Sequence, residues 1–285
     1  MEVADKGPLA VHRRILERLK HTSSVNLTAK ERKELGRDYR RDAPGVGHSS
    51  SMIDFFEAPR ITRFPAVIRL WNCAWLALKY SGALNTPNLS VKILDVGAGR
   101  AEVCQVLRAI VVQKGVRIQY TAMDVDIRKA EVFEAFYGDS KLANIYLIAD
   151  AREVWPLRDK NFTAVIATEF LEHVTRPEGL HVISESYRVL TSGGHLILTT
   201  PNADIKQTVN EYHRHEWGNL ELRTALEQTG YRVVEWFYFH VPVKELREYL
   251  PAGAANRINM DLLKYVLGPA SGKLGKMVCA VLLKP

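Results

Sequence analysis

The residues best placed to do chemistry stand where short apolar runs end. Val91-Lys92-Ile93-Leu94-Asp95-Val96 is such a run, and it gives way to Gly97-Ala98-Gly99-Arg100-Ala101-Glu102. A strand that ends in a glycine turn and opens a helix lets a ligand approach the backbone closely at the carboxyl edge of a sheet. A dinucleotide would require a third glycine where Glu102 stands, and that carboxylate would repel a pyrophosphate. The G-K-[ST] signature is missing too, which excludes a phosphate-cradling P-loop. Acids in and around the turn suit a ligand that carries positive charge. Asp95 is suited to receive an ammonium group directly or through water. Asp124 ends the next apolar run, where a carboxylate can take both hydroxyls of a ribose. Asp124 is also a candidate helix cap, but Asp126 competes for that task and leaves Asp124 to the sugar. Asp150 ends the run after that and is suited to accept from an exocyclic adenine amine, with the Ala151 amide facing a ring nitrogen. Three acids at three consecutive strand ends outline an amino-acid head, a sugar and a base, the parts of S-adenosylmethionine.

These acids can converge only if regular elements carry them. Residues 91–96, 117–123, 144–148, 162–168 and 195–200 read as buried strands. Between them, residues 102–113, 127–136 and 178–190 read as helices, the last closed by Ser192-Gly193-Gly194. Such alternation implies right-handed crossovers and a parallel sheet covered on both faces. After Pro201 a polar loop, His213-Arg214-His215-Glu216-Trp217, leads to a helix ending near Gly230. Strands are expected at 231–239 and 277–283, with about 35 residues between them that read as inserted helices. The expected fold is α/β: a Rossmann-like, seven-stranded, mostly parallel sheet with helices on both faces, plus an N-terminal helical appendage. The appendage spans residues 1–60 and ends in the apolar cluster Met52, Ile53, Phe55 and Phe56, expected to close over the cofactor. Residues 61–285 form the main domain, entered through a helix at 64–80 with Pro65 in its first turn and carrying the helical insert at about 240–272.

From about residue 91 to 239 the sequence resembles a class I S-adenosylmethionine-dependent methyltransferase, of the branch that includes the ubiquinone-biosynthesis O-methyltransferases. The stretches that carry the likeness are ILDVGAGRAE, YTAMDVD, IYLIADAREVWPL, NFTAVIATEFLEHV and RVLTSGGHLILTTPN, in that order. Ala101 departs from the pattern, since many relatives have a third glycine there. The resemblance implies transfer of a sulfonium methyl to an O or N nucleophile of a small-molecule acceptor. It implies Asp95, Gly97 and Gly99 at the methionine end of the cofactor, Asp124 at the ribose, Asp150 and Ala151 at the adenine, and Glu169 on the cofactor side as well. Glu169-Phe170-Leu171-Glu172-His173-Val174 follows the fourth strand, at the mouth where the acceptor belongs. His173 is the candidate general base, because an imidazole titrates near neutral pH, with His213 behind it. A loop histidine that only orders the next helix is the alternative. Glu169, Glu172 and His173 with His213 or His215 also offer two carboxylates and two imidazoles to a divalent ion. That set resembles the metal-dependent small-RNA 3′-terminal 2′-O-methyltransferases. The same string is usual in the small-molecule branch, and the expectation is a site without metal. A protein that binds the cofactor without catalysis is the third alternative.

Composition bounds these readings. The 285 residues hold 39 Lys+Arg against 32 Asp+Glu, with 47% hydrophobic, which excludes intrinsic disorder and supports a substantial core. Three cysteines exclude a disulfide scaffold and fit a reducing compartment, and they read as buried packing residues. The opening residues MEVADKGPLAVHRR carry acids and arginines where a signal peptide needs an apolar run, and the apolar stretch at 66–78, interrupted by Arg69 and Asn72, is too short to span a bilayer. A cytoplasmic protein without stable membrane insertion is expected. Through Leu70 there are 14 basic and 9 acidic residues, against 25 and 23 in the remainder. The basic surplus therefore sits in the N-terminal quarter, through which RNA binding is the alternative to a small-molecule acceptor.

Overall fold

The computed structural model describes residues 64–86, 89–114, 116–137, 143–205, 210–240 and 275–285. The expected N-terminal appendage, with Phe55 and Phe56, lies outside the described residues, as does the expected insert apart from residue 240.

Helix α1 (Phe64–Tyr80) leads into strand β1 (Ser90–Val96). There follow α2 (Glu102–Lys114), β2 (Arg117–Asp124), α3 (Ile127–Tyr137), β3 (Ala143–Ile148) and β4 (Phe162–Thr168). The remaining elements are α4 (Arg176–Val189), β5 (Leu190–Pro201), α5 (Asn219–Thr229), β6 (Arg232–Phe239) and β7 (Met277–Leu283). The seven strands form one sheet in the order β3-β2-β1-β4-β5-β7-β6. Pairing is parallel except where β7 lies antiparallel between β5 and β6. The strand order reverses between β1 and β4, and the crevice beyond the carboxyl ends of such a pair is where ligands bind in open α/β sheets.

Both faces of the sheet are covered, which explains why β1 and β4 are nearly continuous apolar runs. Val91 and Ile93 face a core built with Leu76, Leu107 and Phe133 of α1, α2 and α3. Leu94 and Val96 face the opposite core, with Val182 and Ile183 of α4 and Leu222 and Leu226 of α5. All three cysteines are free and buried. None of the described helices is long and apolar enough to cross a membrane.

Two boundaries differ from the sequence expectation. Helix α4 begins earlier, because Thr175 and Glu178 form a reciprocal capping box and a proline occupies the first turn. At its other end Ser192-Gly193-Gly194 does not close the helix. Strand β5 starts at Leu190, directly after Val189, and its pairing with β4 jumps from Phe162↔Leu190 to Ala164↔His195. Gly193, at φ 77°, therefore serves a bulge. The carbonyls at the helix end are met by Lys284, whose Nζ donates to Tyr187 O at 2.6 Å and Leu190 O at 2.7 Å. A distant lysine does the work that local sequence assigned to glycine.

Gly179 brings α4 against the loop before α5: a Cβ there would stand 2.7 Å from Cζ2 of Trp217, which is wholly buried. Gly179→Ala is expected to cost about 1–3 kcal/mol, typical of overpacking a closed core. A lowered urea midpoint at unchanged slope is the measurement that checks it.

Candidate functional site

The turn after β1 is built on left-handed backbone, with φ at 64° for Gly97, 57° for Gly99 and 60° for Ala101. Ala101 pays the cost of a side chain in that region, about 1–2 kcal/mol, where a third glycine would not. At Gly97 a side chain is excluded by contact as well, since a Cβ would meet the ring of Phe170 at 2.2 Å. Neighbouring strands tie the turn down. Ala98 N–H donates to Met123 O at 3.0 Å, and Gly99 N–H donates to Asp124 Oδ2 at 2.9 Å. The Tyr146 hydroxyl on β3 donates to the Gly99 carbonyl at 2.6 Å. Asp124 also accepts from the Asp126 amide at 3.0 Å and from Lys129 Nζ at 3.4 Å. Asp126 takes the amide and guanidinium of Arg128, so Asp126 caps α3 and Asp124 stays at the turn.

The acids sit at the carboxyl edge in different settings. Asp95 is only 2% exposed, and burial pushes its carboxyl up to about 7, against the bond it accepts from Tyr120. Burial also raises Glu102. Asp150 is gripped by Arg152, whose Nη2 lies 2.6 Å from Oδ2 and whose Nε lies 2.9 Å from Oδ1. Ala151 is buried beside it, and its carbonyl accepts from Trp155 Nε1 at 2.9 Å.

Past β4 the chain turns sharply. Glu169 has φ 50°, strained for a residue with a side chain. Its amide donates to Thr199 O at 3.0 Å, while its carboxylate lies 3.5 Å from Arg69 Nη1 and accepts from Thr199 Oγ1 at 3.3 Å. Phe170 then covers Gly97, and one turn of 3-10 helix, Leu171–His173, begins. Glu172 is buried and accepts from Thr200 Oγ1 at 3.1 Å. Burial, with Glu169 nearby, raises its carboxyl well above the ordinary range. Its carbonyl accepts the amides of Arg214 at 2.7 Å and His215 at 3.3 Å, which clips the later histidine loop to this turn. His173 Nδ1 stands 3.3 Å from Tyr212 O, an acceptor, so Nδ1 carries the proton and Nε2 keeps its lone pair. Burial lowers the His173 pKa, leaving the ring neutral at pH 7. His213 lies edge-on to it at 5.3 Å between ring centres, with Nδ1 2.5 Å from Glu216 Oε1 and Nε2 3.0 Å from Asn210 Nδ2.

Of the residues expected to gather near the mouth, Glu172, His173 and His213 each offer a ligand atom, all within 4.8 Å of one another, and could hold a divalent ion. Glu169 and His215 are engaged elsewhere. Glu169 turns to Arg69 and Thr199, and His215 bonds Glu221 at 3.1 Å and packs edge-on against Trp217. Sequence reasoning missed Arg69, Tyr120, Tyr146, Phe170, Thr199 and Thr200. Only Arg69 left a signal, as a cation interrupting an apolar helix.

The seven-stranded sheet in this order thus carries a glycine turn at its switch point and acids at successive strand ends. Residues 94–198 match the family model described as a methyltransferase domain. The chain contains a class I S-adenosylmethionine-dependent methyltransferase domain, and S-adenosylmethionine is its cofactor. Similar solved structures include a candidate methyltransferase from Bacillus halodurans, 19% identical, covering 76% of this chain and 98% of that one at a TM-score of 0.50. Another is a candidate sarcosine dimethylglycine methyltransferase from Galdieria sulphuraria, 17% identical, covering 77% and 86% at 0.53. A third is Haemonchus contortus phosphoethanolamine N-methyltransferase 2 in complex with S-adenosyl-L-methionine, 15% identical, covering 83% and 60% at 0.50. At these identities the likeness is one of fold. No curated protein sequence matches the chain.

Gly97→Ala should destabilise the protein by about 1–3 kcal/mol through overpacking, with a further cost from its left-handed backbone. Combined with Phe170→Ala it should cost less than the two changes summed, because the clash is removed once; a double-mutant cycle by urea unfolding reads this. Asp95 gives a pH signature. Its folded pKa of about 7 lies above the unfolded 3.8, so between these values the folded state holds a proton that the unfolded chain has released. Stability therefore falls as pH rises through this window. Asp95→Asn should raise the melting temperature of the ligand-free protein at pH 8 and leave it nearly unchanged at pH 4.

Proposed function

We propose that this protein is an enzyme that transfers the methyl group of S-adenosylmethionine to an oxygen or nitrogen of a small-molecule acceptor, with His173 as the base. The observation that carries the reading is the state of His173: half-buried, neutral, its proton committed to the Tyr212 carbonyl and its Nε2 lone pair left available. It follows directly on the turn whose Phe170 covers Gly97, so base and glycine turn are joined by one short segment.

Bound cofactor supplies a methyl carbon already activated by its sulfonium. The work left to the chain is to align, exclude water and move a proton. His173 Nε2 would take the proton of the acceptor's oxygen or nitrogen as that atom gains the methyl group in exchange for the carbon–sulfur bond. Asp95 receives the cofactor's ammonium. The fit rests on its Oδ1, which has no hydrogen-bond partner among the described residues although the side chain is almost wholly buried. Gly97 and Gly99 give the methionine end room, and Asp124 takes the ribose hydroxyls with the lone pairs that its present donors leave. Asp150 and Ala151 receive the adenine, and Glu169 borders the methionine end. Catalysis belongs to residues 61–285, with residues 1–60 in an accessory role.

A second reading has its own observation. Glu172, His173 and His213 are within reach of one ion, and the Glu216 carboxylate on His213 Nδ1 is the outer contact typical of a metal-bound imidazole. A divalent ion held there would polarise an acceptor hydroxyl, as in a metal-dependent RNA 2′-O-methyltransferase.

Incubation with methyl-labelled S-adenosylmethionine and a fractionated cell extract separates the readings. Label in a low-molecular-weight fraction, unaffected by chelator or nuclease, is expected; label lost to both supports the second reading and ends the first. With the acceptor in hand, His173→Ala should lower kcat roughly 10²–10⁴-fold at nearly unchanged cofactor affinity. In the unaltered enzyme, turnover should persist to a more acid pH than an ordinary imidazole would allow.

A further inference from the structure

Asp95 shares its side of the sheet with Tyr120 of the neighbouring strand. In the parallel pairing of β1 with β2, Ile93 stands opposite Tyr120 and Asp95 opposite Ala122. Tyr120 is wholly buried, and its hydroxyl donates to Asp95 Oδ2 at 2.5 Å. Phe133 of α3 stacks on its ring at 6.4 Å between centres and also packs against Tyr146 at 5.2 Å, so the tyrosine has little freedom to turn away. Among the described residues, the other ionisable groups that act on Asp95 are Glu102 of α2 and Asp124 of β2, and both are acids. Cys104 of α2 and Tyr146 of β3 are in turn held protonated in part by Asp95. A carboxylate in such surroundings is kept ionised by hydrogen bonding or not at all. Tyr120 is the side chain that supplies that bond.

We propose that Tyr120 is a positioning residue for cofactor binding: its buried hydroxyl pins one oxygen of Asp95 and favours the anionic form, leaving Oδ1 for the cationic head of S-adenosylmethionine. The inference rests on the proposed role of Asp95. A tyrosine present only to fill the core, with a hydroxyl that merely finds a partner, would make the same contacts with a different consequence. Its loss would weaken binding equally at every pH.

The test is calorimetric titration of the full chain with S-adenosylmethionine between pH 6 and pH 9, for the unaltered protein, Tyr120→Phe and Asp95→Asn. Phenylalanine keeps the ring and removes only the donor. Tyr120→Phe is expected to weaken binding roughly tenfold or more near pH 7, as for loss of a hydrogen bond to a charged group, and the gap should close towards pH 9 as Asp95 ionises unaided. Taking the ratio to the unaltered protein at each pH cancels the titration of the cofactor's own amine. Unchanged affinity in Tyr120→Phe, or a loss that is the same at every pH, overturns the proposal. Asp95→Asn should bind weakly throughout. If it binds as the unaltered protein does, the ammonium assignment itself is wrong, a result distinct from failure of the Tyr120 inference. Should Tyr120→Phe not fold, replacing Tyr120 by a fluorinated tyrosine keeps the shape and strengthens the donor. The acid limb of binding should then move to lower pH, and an unmoved limb overturns the proposal.

Discussion

The cofactor edge of this molecule depends on one bond between neighbouring strands, from the Gly99 amide to the Asp124 carboxylate. A turn containing two left-handed glycines has wide conformational choice, and fixing it costs more entropy than fixing any other sequence. The parallel register of β1 and β2 removes that choice. Pairing runs to Val96↔Met123, continues as Ala98 N–H to Met123 O, and ends at Asp124. A slip of one residue would send Asp124 to the opposite face of the sheet and leave the turn without its anchor. The apolar alternation that buries β1 and β2 against two separate cores therefore also determines where the acids meet.

That edge is electrostatically uncomfortable when nothing is bound. Burial raises Asp95, Glu102 and Glu172, and Glu169 sits in a strained backbone conformation. Each is unfavourable for folding and is tolerated because the surrounding strands and helices are well packed. A cationic ligand reverses the balance. Whatever binds only the folded chain stabilises it by mass action. Arg69 of α1, which meets Glu169, shows how the helix before the first strand is built into the same arrangement.

Much of this was legible in the sequence, for physical reasons that can be named. Strands buried on both faces announce themselves as short apolar runs, and the acids that close them stand out because charge at the end of such a run needs a purpose. The glycines of the turn were visible for a similar reason. What sequence could not show were contacts between positions far apart along the chain. Nothing local marks Tyr120, an aromatic in a strand, as the partner of Asp95, or Phe170 as the ring that fills the space left open at Gly97. The E-x-x-E-H string suggested one cluster, yet the Glu169 carboxylate meets Arg69 and Thr199 while Glu172 and His173 meet His213. The serine-glycine-glycine segment was read as a helix stop from its composition, although the helix end is served by Lys284 from the last strand's edge.

That last strand has a consequence for how the molecule comes to exist. β7 lies between β5 and β6, antiparallel to both, so those two strands have no partner in common until it inserts. During synthesis the half that carries the glycine turn, from β1 to β4, can assemble from contacts along a continuous stretch of chain. The other half must wait with exposed strand edges for β7, which follows both β5 and β6 along the chain. The molecule thus has a late-closing seam on the side away from its cofactor edge. Until β7 is in place, β5 and β6 leave unpaired edges of the kind that invite mispairing.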